Sequence, residues 1–92
     1  MTVETDAELL RRYADQGAAE AFAELVRRNL DLVYAAALRH LGDAHRAQDV
    51  AQMVFIDLAR KAPTLWRHPA LTSWLFTSTR FAALFRASRR HR

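Results

Sequence analysis

Residues 44–61 read AHRAQDVAQMVFIDLARK, and their spacing decides the fold. Set at 100° per residue, Ala47, Val50, Ala51, Val54 and Leu58 gather on one side; His45, Gln48, Asp49, Gln52, Ile56 and Ala59 gather opposite. One apolar stripe against a mixed face marks a helix that buries one side. Asp43 supplies an N-cap, and Arg60 and Lys61 fall in the last turn, where the helix dipole favours cations. The opposite face carries Gln48, Asp49, Gln52 and Ile56. A wetted surface is the ordinary fate of such a face, but an exposed Ile beside amides that both donate and accept also suits docking against another helix.

Upstream of this helix, two more are expected. Asp6 is placed to cap a first short one, with Glu8 near its positive end and Leu9, Leu10 and Tyr13 as its apolar edge. Asp15-Gln16-Gly17 ends it. A second helix over residues 18–41 follows, with Phe22, Leu25, Val26, Val33, Ala36, Ala37 and Leu41 recurring every three or four positions and Asn29 interrupting the stripe. Gly42 closes it, because a left-handed terminal residue is least costly as glycine.

Downstream, residues 62–72 (APTLWRHPALT) hold both prolines and read as an irregular loop. Thr72 or Ser73 caps a fourth helix that runs to residue 88, with Leu75, Ser78 and Ala82 facing inward, Phe85 at the margin, and Trp74, Thr77, Arg80, Phe81 and Leu84 on an adjacent face. There is no repeat and no strand-like alternation. The expected fold is an all-α, compact four-helix bundle with an irregular loop between helices three and four.

Charge divides the chain. Residues 1–57 hold ten Asp/Glu against six Arg, whereas residues 58–92 hold eight Lys/Arg and no acid. The net +4 therefore conceals a front half of −4 and a back part of +8. A bundle surface ordinarily mixes both signs. A basic helix end alone accounts for the last turn, not for so long a stretch without a carboxylate. The basic part also carries Trp66, Trp74, Phe76, Phe81 and Phe85. Cations among aromatic rings suit a polyanion whose bases can stack. Trp66 and Trp74 bracket a segment rich in Pro, Arg and His, a suitable rim for an exposed base, although aromatics at helical spacing more often serve a core.

Other classes are excluded or unsupported. The 92 residues make one small domain, and the apolar content of 51% argues against disorder. The absence of cysteine removes disulfide scaffolds and cysteine-based zinc or redox chemistry. His40, His45, His68 and His91 have no metal-ligand spacing, so no metal and no cofactor is expected. No phosphate loop and no nucleophile with a base is present, and the chain is not expected to be an enzyme. No apolar run is long enough to cross a membrane, and residues 1–6 are acidic rather than a signal peptide. A soluble, cytoplasmic protein is the expectation.

These pieces, in this order, resemble region 2 of bacterial sigma factors of the sigma-70 family, specifically the extracytoplasmic-function (ECF) group. The resemblance rests on Phe22-Ala23-Glu24-Leu25, on the Ala47-x-Asp49-Val50-x-Gln52-x-Val54-Phe55 run, on Trp74-Leu75 and on the closing arginines, and it covers nearly the whole chain. It implies a transcription-initiation domain that binds RNA polymerase core and melts the promoter −10 element. Contact with the clamp helices of the largest polymerase subunit would fall on Gln48, Asp49, Gln52, Phe55, Ile56 and Ala59. The non-template single strand, with a flipped base, would meet Trp66, Arg67, His68, Ser73, Trp74, Thr77 and Phe81, while Arg80, Arg86, Arg89 and Arg90 meet phosphates. Many family members carry Asn where this chain has Phe81, so stacking or packing replaces amide recognition here. The family often has an anti-sigma partner that covers both faces. Complete members add a helical region 4, whereas this chain ends at Arg92, where a linker would begin; it reads as an isolated region 2 over residues 1–92. A different class of function, a helical adaptor whose basic last helix binds an acidic protein, is the alternative. Duplex readout by a helix-turn-helix fits less well, because the turns lack the required length.

Overall fold

The computed structural model describes the backbone of residues 3–90 and the side chains of residues 3–86. Four helices follow one another: α1 (Asp6–Gln16), α2 (Ala19–Leu41), α3 (Ala44–Leu65) and α4 (Leu71–Arg90). No strand occurs among the described residues.

Thr5, not Asp6, caps α1. Its hydroxyl accepts from the Glu8 N–H at 3.1 Å, and the Glu8 carboxylate accepts from the Thr5 N–H at 2.9 Å. This reciprocal box satisfies two orphan donors at once. Asp6 is thereby released to reach α2, where its carboxylate accepts from Asn29 Nδ2 at 3.1 Å and faces Arg28 at 3.3 Å. The Asn29 that breaks the apolar stripe is a buried tie between α1 and α2, and it also donates to the Leu25 carbonyl at 2.8 Å. Gly17 (φ 64°) and Gly42 (φ 65°) end α1 and α2 in the left-handed conformation. Asp43 caps α3, its carboxylate accepting from the Arg46 N–H at 3.1 Å.

The expected loop over residues 62–72 is much shorter. Helix α3 runs through Pro63 to Leu65, because Ala62 and Leu65 extend the buried stripe of Val54 and Leu58 by another turn. Pro63 cannot donate to the carbonyl four residues back, and the burial on either side of it offsets that loss. Two tight turns over residues 66–70 then reverse the chain. His68 and Ala70 brace them: the His68 N–H donates to the Leu65 carbonyl at 2.9 Å, and His68 Nδ1 accepts from the Ala70 N–H at 3.0 Å. Helix α4 begins one residue before the expected caps Thr72 and Ser73, which are exposed in its first turn. Burial of Leu71 sets that start.

The inner face of α4 is Leu71, Leu75, Thr79 and Ala83. It is not the Leu75–Ser78–Ala82 line expected. Ser78 and Ala82 are half-buried shoulders, and Phe85 is 55% exposed. Thr79 enters the core because its hydroxyl donates to the Leu75 carbonyl at 2.7 Å, so no polar atom is left unpaired. Helices α2 and α3 form the central pair; α1 and α4 each pack on both. Leu10, Leu25, Val33, Val50, Val54 and Leu58 fill the middle, in a body of 47 × 24 × 22 Å.

Candidate functional site

The shoulders of α2 and α3 do not close on each other. Between them lies an open groove of about 980 Å³. Its α2 wall is Phe22, Val26, Leu30, Asp31 and Tyr34; its α3 wall is Gln48, Ala51, Gln52, Phe55, Ile56 and Ala59. Two large apolar side chains stand up from it, Leu30 at 43% and Ile56 at 57% exposure. Uncovered apolar surface of this kind is unfavourable in water and favours occupation by another apolar face. Polar ends are supplied by Gln48, Gln52 and Asp31, all exposed. The result is a helix-sized apolar trough with hydrogen-bonding groups along it.

Five of the six residues expected to contact polymerase line this groove: Gln48, Gln52, Phe55, Ile56 and Ala59. Phe55 is not on the outer surface, however. It is buried to 7% exposure and forms part of the core floor, because at 100° per residue it falls between the inner stripe and the outer face. Asp49 is not among the lining residues. It pairs instead with Arg86 of α4, Nη2 to Oδ2 at 3.5 Å. The α2 wall went unrecognised in the sequence. Its signal was present: Phe22, Val26 and Leu30 recur every four residues, and Tyr34 continues the line.

The second feature lies where α3 hands over to α4. The Trp66 ring is half-buried against the core, with the Arg11 guanidinium carbon 4.7 Å and the Arg67 guanidinium carbon 5.0 Å from its centroid. Trp74, also half-buried, has Lys61 Nζ 5.9 Å from its ring. Neither tryptophan is sealed inside. Ser73, Thr77, Arg80 and Phe81 lie along the exposed surface of α4, Phe81 at 65% exposure. Arg67 and His68 are exposed in the turn. The side chains of Arg89 and Arg90 lie outside the described residues.

Charge pairing follows the division seen in the sequence. Arg11, Arg12, Arg27, Arg28 and Arg46 all face carboxylates of the front half. In the back part, Lys61 faces Asp57 at 4.0 Å and Arg86 faces Asp49. Arg60, Arg67 and Arg80 have no carboxylate partner among the described residues. Five of the six front-half arginines thus pair with front-half carboxylates and leave that half net acidic, whereas the far end keeps a surplus of cations without a carboxylate partner among the described residues. Among the described residues, no group of three or more His, Asp or Glu could hold a metal ion, and no helix is long and apolar enough to cross a membrane.

The described residues form a helical domain with an apolar groove and a cationic, aromatic end, surfaces whose chemistry suits a protein face and a polyanion. The family model described as Sigma-70 region 2 matches residues 25–92, and the chain belongs to that family. It is a sigma-factor domain of transcription initiation, from the region that engages RNA polymerase core and promoter DNA. The matched span begins inside α2 and leaves α1 outside it. Neither the comparison with curated proteins nor that with solved structures returned a match.

Proposed function

We propose that this chain is the region 2 domain of an ECF sigma factor. Its α2/α3 groove receives the clamp helices of the largest RNA polymerase subunit, and its 66–70 turn and α4 hold the unpaired non-template strand of the −10 element. The observation that carries this reading is the pairing of two unlike surfaces on one rigid bundle. An apolar trough with Gln48 and Gln52 in its wall suits a helix; exposed Phe81, half-buried Trp74 and open arginines suit a strand with splayed bases. Unstacking a base costs a few kcal/mol, and an aromatic ring that receives it returns roughly 1–3 kcal/mol. Arginines on the flanking phosphates hold the backbone in register.

Phe81 is a ring and not an amide, so recognition there rests on stacking, which tolerates any base. The carboxylates of the front half keep a polyanion away from the groove side, because like charges repel across a face that carries no open cation surplus. The test is a pull-down of the chain on a polymerase clamp fragment, paired with a titration of single-stranded −10 DNA. Gln52→Ala should weaken the first and spare the second; Trp74→Ala should do the reverse. Loss of polymerase binding in Gln52→Ala with DNA binding indifferent to Trp74→Ala would favour a protein-binding adaptor instead.

A further inference from the structure

We infer that Arg11 and Arg67, gathered over the Trp66 ring, form a binding site for the phosphate backbone of the unpaired strand, so that α1 belongs to the strand-binding surface. The inference rests on the reading of the cationic end given above. Its basis is geometric. Two guanidinium groups from distant parts of the chain, one on α1 and one in the turn after α3, both lie within 5.0 Å of the same ring centroid.

Little neutralises either cation. Among the described residues Arg67 has no carboxylate partner, and the one carboxylate facing Arg11 is Asp15, bonded through Nε at 3.4 Å in a pair with both side chains more than half exposed. Such a pair contributes little. The terminal amino groups of both arginines donate to nothing among the described residues. Phosphates of a strand passing this ring would use those donors and pair with both cations.

The ring has a definite part in this. Trp66 is anchored against the core, so it fixes where the guanidiniums sit. A guanidinium over an aromatic face keeps its in-plane N–H groups available for the forked contact that a phosphate oxygen pair accepts. With its cations in place, Trp66 works as a platform for arginines and is not an open surface for a base. Stacking is left to Trp74 and Phe81. Arg11 stands in the acidic half and before residue 25, where the family match begins, so neither the charge division nor the family assigns it a role.

The test titrates a labelled single-stranded −10 oligonucleotide with the whole chain at several salt concentrations. Arg11→Gln should weaken binding roughly three- to tenfold and flatten the slope of log affinity against log salt by about 0.7, the loss expected for one phosphate contact on single strands. Arg27→Gln serves as control: it also removes an exposed arginine bonded to one carboxylate, Glu24, but lies away from the ring. It should leave the slope unchanged. Removing the platform by Trp66→Leu should weaken binding to a similar degree, with the double variant Arg11→Gln/Trp66→Leu no worse than either. Binding by the unaltered chain with an unchanged slope in Arg11→Gln overturns this inference alone. Absence of any single-strand binding by the unaltered chain overturns both it and the proposed function.

Discussion

Asn29 is the residue whose removal should be felt most sharply for its size. It is buried at 5% exposure and gives its two amide hydrogens to Asp6 and to the Leu25 carbonyl. Asn29→Ala leaves the half-buried Asp6 carboxylate with Arg28 alone and removes the buried one of the ties between α1 and α2. A loss of about 1–3 kcal/mol is expected, read as a lower urea midpoint, against less than about 0.5 kcal/mol for exposed Gln16→Ala. The capping carboxylates set a pH dependence. Glu8 is held below the usual carboxylate range chiefly by the Thr5 N–H, and Asp43 chiefly by the Arg46 N–H. A depressed folded value means the added stability is present above the unfolded value and is lost as pH falls through the folded one. Acidification below about pH 4 should therefore destabilise the chain. The double variant Glu8→Gln/Asp43→Asn, which keeps an acceptor at each cap, should show a flatter fall in urea midpoint across that window.

At the scale of the element, α4 separates what spacing reveals from what it hides. Gly17, Gly42 and Asp43 mark their helix ends because the glycines act through their own backbone and Asp43 through a carboxylate bonded three residues on, and local chemistry is legible locally. The phase of α3 is equally clear, since its stripe is wholly apolar. The inner line of α4 is not, because Thr79 is a polar residue whose hydroxyl finds its partner only once the helix exists. Pro63 misleads for a related reason: a breaker by rule, it is overridden by the burial of Ala62 and Leu65 on either side. The observed phase makes a prediction. Ala83→Leu should overpack a site with 0% exposure and cost about 1–3 kcal/mol, whereas Leu84→Ser, at a position 49% exposed, should stay within about 0.5 kcal/mol. Chemical denaturation of both variants checks it. Equal tolerance would mean that the inner line is the Ser78–Ala82 one.

Across the whole molecule, α3 joins the two surfaces. Its middle forms one wall of the groove, and its C-terminal end carries Lys61 and leads into Trp66. The charge division was fully readable in the sequence, and so were Gln48, Gln52, Ile56 and Ala59 of the α3 wall, whereas Ala51 read as core and Asp49 as part of the wall. What stayed hidden depends on distant residues meeting: the α2 wall, the Asp49–Arg86 pair that turns one expected contact residue away from the groove, and the placement of Arg11 on Trp66. Ile56→Asp should remove polymerase binding, since it puts a charge into the apolar trough. It should leave the single-strand affinity of the isolated chain within a factor of about two, because the substitution lies away from the open cations.

The claim that two separate surfaces share one rigid bundle is tested most directly by a single titration series. A fluorescent fork-junction −10 probe is followed with the chain alone and then with polymerase core added, for the unaltered chain, Ile56→Asp and Phe81→Ala. The account predicts that Ile56→Asp retains probe binding alone but gains nothing from core. It predicts that Phe81→Ala still associates with core yet holds the unpaired strand roughly tenfold more weakly. If each substitution impaired both activities alike, or if neither impaired either, the two surfaces would not be the working parts of this domain.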